Sequence, residues 1–518
     1  MHSDPGHTTS LWMATADVPT YPPLSQDANA DVCVIGSGIA GLSVAYLLVR
    51  AGKGVIVLDD GPIGGGETGR TTAHLSNEMD DRYVEVEKVH GEDGARVAAE
   101  SHTAAIDKIE EIVGAEEIDC DFERVDGYLF LTQDDSDDTL VRELEAAHRA
   151  GLTAVEPLER VPLPSFDTGP CLRFPNQGQF HPLKYLSGLA RAIVRGGGRI
   201  HTGSHVEGID GEGPITVTTK DKAKVTAGKL VVCTNSPIND WVKIHTKQAP
   251  YRTYVVGARI PRGTVPRALY WDTADPYHYV RLQRDEQDPE HFEVLIAGGE
   301  DHKTGQADDM AERFRCLEAW TRERFPMARR FVYHWSGQVM EPVDYMAFIG
   351  KNPGSDNVFI ATGDSGQGMT HGTIAGMLIT DLILGRRNPW AALYDPSRIP
   401  LSLSAVKEFA KENINVAVQY TEFVRPLDAS SPAEVAPGEG AVIRRDGRPI
   451  AVYRDEAGAV HEYSAVCPHL KCIVHWNSLE KSWDCPCHGS RFDAYGSVLN
   501  GPAITRLEPV EQEHGAER

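Results

Sequence analysis

The sequence predicts an α/β body with a nucleotide-binding unit at its start, an inserted mixed α/β part, and a small all-β module at its C-terminal end. Three observations carry this. A glycine-rich turn at residues 36–41 sits between an apolar strand and an apolar helix. The same order of strand, glycine loop and helix returns at 358–384. After a Pro/Ala/Ser/Gly-rich break at 425–436, short β-like runs follow one another at hairpin spacing. The 518 residues suit about three domains, or one large fold with an appendage. A net charge of −24 argues against nucleic acid or an anionic membrane as partner, since both would repel such a surface. No apolar run approaches the roughly 18 residues of a membrane span. The N-terminus lacks a basic region followed by an apolar one, so a cytoplasmic protein is expected.

In chain order, residues 1–29 read as an extended polar leader. DVCVIGSGIAGLSVAYLLVRAG gives strand, tight turn and helix, and GVIVLDD a second buried strand. Residues 84–115 have helical periodicity. From about 125 to 345, β-like runs (GYLFLT, GRIHTG, KLVVCTN, YRTYVVGARI, FEVLIAGGE) alternate with helical pieces such as LKYLSGLARAIVR. NVFIATG is a further buried strand, HGTIAGMLITDLILG a further apolar helix, and 403–424 reads as helix. GAVIRRDG, PIAVYRDEAG and VHEYSAV are short strands beyond the break.

Gly36, Gly38 and Gly41 form a GxGxxG. The first glycine permits the tight turn, the second lets backbone approach a pyrophosphate, and the third lets helix and strand pack closely. The following helix N-terminus favours phosphate. Asp59 ends the second strand, where a carboxylate can accept from a ribose diol. This motif alone does not separate FAD from NAD.

The wider pattern does. GETGRTTAHLS (66–76) and VFIATGDSGQGMTHGTIAG (358–376), with the first glycine turn, resemble the D-amino-acid oxidase and glycine oxidase superfamily of flavoproteins over roughly residues 30–395. The resemblance implies FAD. It places Gly36, Gly38, Gly41 and Asp59 on the ADP part, and Arg70, Thr71 and Thr72 along the flavin. Gly363, Asp364, Gly366, Gln367, Gly368 and Met369 would meet its ribityl and pyrimidine side. His74 falls where some related amine dehydrogenases bear a histidine covalently bound to FAD, although Ala73 and Leu75-Ser76 depart from their pattern. A helix beginning at Gly368 would stabilise negative charge on a reduced flavin.

Nine cysteines are too few for a disulfide scaffold. Cys33, Cys120, Cys171, Cys233 and Cys316 are scattered and read as small core residues. Cys467, Cys472, Cys485 and Cys487 are clustered. Cys467-x-His469 and Cys485-x-x-His488, with fifteen residues between, supply two thiolates and two imidazoles. That set suits a Rieske [2Fe-2S] cluster or a Cys2His2 zinc site. CPHLKC, CPCHGSRFD and the later GPA closely resemble the boxes of Rieske proteins, which decides for the cluster. The resemblance also implies a Cys472–Cys487 disulfide tying the two loops together. In high-potential members a serine hydroxyl and a tyrosine donate to sulfur. Ser490 is kept here, and Phe492 replaces the tyrosine.

The expected whole is an α/β Rossmann-like FAD domain at 30–424 with an inserted mixed α/β substrate domain, drawn roughly from 84–160 and 241–345. A linker follows at 425–436, then a C-terminal all-β Rieske domain at 437–518. The layout resembles bacterial fusions of an amine-oxidoreductase-like flavin domain with a Rieske domain. It implies oxidation of a small amine or amino acid, with electrons leaving through the cluster to a one-electron acceptor or redox partner protein. The alternatives are a flavin monooxygenase, from the GDSGQG loop, and an electron-transfer protein fed by NAD(P)H. For the substrate, Arg281 is a candidate carboxylate clamp, with Tyr277, His278, His334 and Asp344 as pocket candidates. His201 and His205 lie in a strand-like run, about 13 Å apart by strand rise, too far to share a mononuclear iron.

Overall fold

The structure, a computed structural model, describes residues 6–132, 135–238, 244–307, 309–399, 410–416, 419 and 428–510. The first strand, Ala28–Ile35, ends in four buried residues and turns at Gly36 (φ 103°) into the helix Ile39–Arg50. It is the centre of an eight-stranded sheet. Val55–Leu58 and then Arg199–His201 lie on one side of it; Lys224–Val232, Val358–Thr362 and Phe348–Lys351 lie on the other. The pairings of Ala28–Ile35 with both neighbours, and of Lys224–Val232 with Val358–Thr362, are parallel. Val55–Leu58, Val358–Thr362 and the last residues of Ala28–Ile35 and Lys224–Val232 are buried apolar runs, because both faces are covered there. The late helix Gly368–Ile383 packs on Ile39–Arg50, and its small residues permit the approach. A side chain at Gly376 would meet Ser43 Cβ at 2.7 Å, and one at Gly372 would meet Ile39 Cγ2 at 2.5 Å.

A second, nine-stranded sheet carries the inserted part. Its order is Arg330–Pro342, Gln248–Pro261, Phe292–Lys303, Tyr279–Arg284, Leu269–Asp272, Glu123–Phe130, Cys171–Gln179 and His74–Leu75, with Glu156–Leu158 beside Cys171–Gln179. The sheet therefore draws on 74–75 and 171–179, outside the stretches expected for the substrate part. Pro175 and four polar residues, Arg173, Asn176, Gln177 and Gln179, hide the strand character of Cys171–Gln179. The helix over 84–115 is observed as Arg82–Ala115, broken at Gly91.

The C-terminal module has a three-stranded sheet (Glu439–Arg445, Arg448–Arg454, Val460–Ser464) and a four-stranded one (His475–Asn477, Ser482–Asp484, Arg491–Asp493, Val498–Asn500). Val442, Ala451, Ile473, Trp483 and Phe492 form its own core. Of the presumed linker, 428–436 is folded onto this module: Arg454 donates to Pro432 O and Val435 O at 2.8 and 2.7 Å. Most of 403–424 lies outside the described residues, of which 410–416 and 419 are helical.

Two expectations need correction. The N-terminal stretch is not wholly extended: Ser10 caps a helix at Leu11–Thr15 whose Leu11 and Trp12 are buried, because Trp12 donates to Thr71 O and packs edge-on to His181. Cys316 is not a core residue; it lies on the exposed side of the helix Met310–Arg324. No described helix is long and apolar enough to cross a membrane.

Candidate functional site

The first turn is built for close approach. A Cβ on Gly36 would lie 2.3 Å from Cys233 O, and one on Gly41 1.9 Å from Gly36 O. Asp59 Oδ2 accepts from Ser37 N and Oγ at 2.5 and 2.6 Å, and Oδ1 accepts from Gly61 N at 2.9 Å. Burial, then Asp60 beside it, raises its carboxyl well above the usual range. Gly36, Gly38 and Asp59 line a cavity of about 1000 Å³. Thr71, Thr72 and His74 line it further along, and Gly363, Asp364, Gly366, Gln367, Gly368 and Met369 line it from the late loop. Gly41 stands behind the turn and Arg70 lines the cavity edge, largely committed elsewhere.

Orphaned polar atoms on the cavity wall fit a flavin dinucleotide. His74 Nε2 and Gln367 Oε1 both belong to cavity-lining residues and are buried without a hydrogen-bond partner. Gly366 leaves room that the Asp80 carboxylate occupies: an added Cβ would sit 1.8 Å from Asp80 Oδ2. Burial, then Arg281, lowers the His74 pKa to about 3, so its ring is neutral; Thr72 Oγ1 lies 3.0 Å from its Nδ1.

The far wall of the cavity combines carboxylates and aromatic rings. Tyr277 OH donates to Asp80 Oδ2 at 2.6 Å, and Thr253 Oγ1 and Tyr279 OH share a 2.6 Å bond. Thr253 also hydrogen bonds to Asp301, whose Oδ1 is buried without a partner. Trp271 and Tyr251 complete the aromatic lining. Ser365 Oγ bridges Asp81 and Glu341 at 2.9 Å each. Burial raises Asp80 to about 6 against the pull of Tyr277 and Arg82, and raises Asp301 to about 7. Burial, reinforced by neighbouring carboxylates, also raises Asp81 and Glu341.

In the C-terminal module Cys467, Cys485, His469 and His488 converge from two loops. The Cys467 and Cys485 sulfurs lie next to one another, and the two imidazole centroids are 5.1 Å apart. All four are buried. His488 Nδ1 has no hydrogen-bond partner, as a metal-binding nitrogen requires. Two sulfurs and two nitrogens brought together in this way fit a Rieske cluster. Cys472 and Cys487 are disulfide-bonded with a Cα–Cα distance of 6.4 Å, and both sulfurs lie within 4.8 Å of the Cys485 sulfur. Ser490 hydrogen bonds to Cys467, and its Oγ accepts from Ala503 N at 3.0 Å.

The two parts meet through buried polar groups. Glu480 Oε1 accepts from Ser336 Oγ at 2.5 Å and from Arg70 Nη1 at 3.2 Å, with Arg252 Nη1 at 3.8 Å. Thr8 donates to both Glu480 oxygens. Gln338, on the cavity wall, donates to Gly489 O beside the second cluster loop, and Asn500 donates to Glu67. Residues 498–501, 503 and 504 line the same cavity as Gly36, so one space runs from the dinucleotide turn to the Rieske module.

Of the substrate candidates, only Tyr277 lies on the cavity. Arg281 is not a substrate clamp. It is wholly buried outside the cavity and donates to Thr72 O, Ala73 O and Phe180 O at 3.2, 2.7 and 3.0 Å, bracing the loop that carries His74. Burial, then Arg267, lowers its pKa to about 9. His278 is also outside, stacked 4.2 Å from Trp320 and bonded to Asp272. His334 pairs with Glu318 at 2.7 Å, and Asp344 with Arg398 at 2.7 Å. His201 Nδ1 lies 2.9 Å from Pro22 O, whereas His205 bonds Asp60 and Ile504 O at the cavity edge. Sequence reasoning missed Asp80, Asp301 and Glu480. The first two sit in ordinary polar runs, and Glu480 meets Arg70 and Thr8 across more than 400 residues.

Comparison with known proteins agrees with this geometry. Residues 31–382 match the model of the family described as FAD dependent oxidoreductase, and 426–511 match the Rieske [2Fe-2S] domain. YhfW of Bacillus subtilis, named as a Rieske 2Fe-2S iron-sulfur protein, is 31% identical over 97% of each chain. The gamma-glutamylputrescine oxidoreductase of Escherichia coli is 29% identical over 73% of this chain and 89% of its own. Glycine oxidase from Geobacillus kaustophilus superposes with a TM-score of 0.61 at 17% identity, over 72% of this chain and 99% of its own, which is a likeness of fold.

Proposed function

Because this chain belongs to the FAD dependent oxidoreductase family and ends in a Rieske [2Fe-2S] domain, we propose that it oxidises the CH–NH bond of a small cationic amine and passes the electrons through the cluster to an outside acceptor. The observation that carries this is the single cavity shared by the dinucleotide turn, the carboxylate–aromatic wall and the Rieske loop at 498–504. When bound, FAD accepts a hydride equivalent from carbon and the cluster carries one electron at a time.

The chain's own groups select the substrate. Tyr277 and Thr253 orient Asp80 and Asp301, and the rings of Trp271, Tyr251 and Tyr279 offer π faces to a cation. An amino acid would need a guanidinium free to clamp its carboxylate. Among the described residues, the arginines lining the cavity are Arg70 and Arg82. Arg70 is held by Glu480, and Arg82 by Glu78 and the carbonyls of Met79, Asp80 and Asp272. An amine without a carboxylate near the reacting carbon therefore suits this wall better. The Escherichia coli relative, named for gamma-glutamylputrescine, supports an amine.

The test is anaerobic mixing with a panel of diamines, monoamines, amino acids and NAD(P)H. Flavin bleaching is followed by absorbance and cluster reduction by electron paramagnetic resonance. Bleaching by diamines followed by the reduced-cluster signal supports the reading. Bleaching by NAD(P)H alone, with amines inert, overturns it.

A further inference from the structure

His245 belongs to the flavin body, yet its ring lies against both imidazoles of the cluster site. Its centroid is 4.9 Å from that of His469 and 6.0 Å from that of His488, both in edge-to-face contact. The residue is 2% exposed. It sits in a short turn, His245–Lys247, directly before the long strand Gln248–Pro261. That strand reaches the cavity within four residues, at Ala249. On its other side His245 Nδ1 lies 3.4 Å from Ser236 Oγ, next to Thr234 and Asn235 of the cavity wall. Thr362, also on that wall, donates to Asn235 O at 2.5 Å and accepts from Gln248 Nε2 at 3.2 Å, tying the two routes together.

His469 and His488 are 7% and 5% exposed, so the imidazole end of the cluster site is turned into the protein rather than out to solvent. Among the described residues the flavin body covers it, and the His245 ring packs against both imidazoles there. From this packing we infer that electrons enter the cluster through its histidine end, and that His245 is the bridging contact that fills the gap between cavity wall and cluster. The inference rests on the reading that FAD occupies the cavity and feeds the cluster. The step served moves one electron: the reduced flavin is oxidised by one electron, one cluster iron goes from ferric to ferrous, and no bond is made or broken. The packed ring matters because electron transfer across an empty gap is far slower than through contacting atoms. The bridging role asks only that the ring be there; it does not require His245 to change protonation.

The experiment uses the full-length protein with both cofactors. The flavin is photoreduced with light and EDTA, which needs no amine substrate. Flavin reoxidation and cluster reduction are followed separately, and the cluster midpoint and resonance spectrum are measured in each variant. His245→Ala is expected to slow cluster reduction by an order of magnitude or more, with the midpoint and spectrum unchanged. His245→Phe, which refills the gap with a ring, is expected to restore most of the rate. Cluster reduction at the wild-type rate in His245→Ala overturns the inference. A lost or altered cluster signal in both variants also overturns it, since His245 would then be a prop for the ligands. If only His245→Ala loses the signal, the phenylalanine variant decides: a near wild-type rate supports the bridge, and a rate slowed by an order of magnitude refutes it. A flavin that never reduces the wild-type cluster sinks the proposed electron path instead, so the two failures are distinguishable.

Discussion

Replacing Glu480 with Gln should loosen the seat of the Rieske module on the flavin body. The carboxylate is fully buried against Arg70 and Arg252, themselves 1% exposed, and is tied by Ser336 and Thr8. Burial opposes its ionisation, but Arg70, Arg252 and Arg491 outweigh that and hold the pKa down at about 2, against an ordinary 4.5. That depression corresponds to about 3 kcal/mol in favour of the charged, docked state at neutral pH. Breaking a buried ion pair from one side costs about 3–5 kcal/mol, because the partner charges stay behind. A depressed carboxylate stabilises above its ordinary pKa, so the contribution is whole at neutral pH and is lost as pH falls from about 4.5 through about 2. Global melting is a poor readout in a multidomain chain. Amide hydrogen exchange of Thr8, the Leu11–Thr15 helix and the Ser336 strand reads local opening directly. The expected result at pH 7 is exchange about a hundredfold faster at these sites, with little change in the Ala28–Ile35 sheet. Unchanged protection around Thr8 and Ser336 would refute the idea that this ion cluster holds the interface.

Four other outcomes follow from the same geometry. His488→Ala should abolish the Rieske signal and leave FAD bound, read by resonance and flavin absorbance; a surviving signal would remove His488 from the ligand set. Ser490→Ala removes a hydroxyl donor from Cys467; a hydrogen bond to a charged group of about 1.5–3 kcal/mol, acting more strongly on the reduced cluster, lowers the midpoint by at most roughly 65–130 mV for one electron, measured by protein-film voltammetry. Asp80→Asn should raise KM for a diamine about tenfold or more; because Asp80 and Asp301 ionise near 6 and 7, wild-type kcat/KM should climb between those values as the anionic wall forms, which steady-state profiles check. Acid precipitation should release the FAD into the supernatant, whereas a flavin retained in the pellet would establish a tether, with His74 the first residue to examine.

What was legible in the sequence was local. Gly36, Gly38 and Gly41 lie within six residues, and the cluster boxes span 22, so spacing marks both sites, and the resemblance of the flanking residues decides between FAD and NAD and between cluster and zinc. Long-range partnerships left no such trace. Glu480 meets Arg70 across 410 residues, and His245 meets His469 across 224, distances at which no periodicity speaks. Arg281 was misjudged for a different reason. Its strand, Tyr279–Arg284, is buried on both faces, so alternation could not tell the cavity side from the bracing side. The N-terminal stretch was misread because one short helix, anchored by Trp12, is too brief to show an amphipathic pattern.

The central claim is that an amine's electrons reach the cluster by way of the flavin. The most direct measurement is an anaerobic titration of wild-type and His488→Ala protein with a limiting diamine, counting flavin and cluster electrons together. The account predicts that in the wild type the flavin bleaches and the reduced Rieske signal grows with it, two electrons being recovered per amine. In the variant the flavin alone should bleach. A reduced cluster with no flavin bleaching at any time, or a flavin that bleaches fully while an intact wild-type cluster stays oxidised, would contradict it.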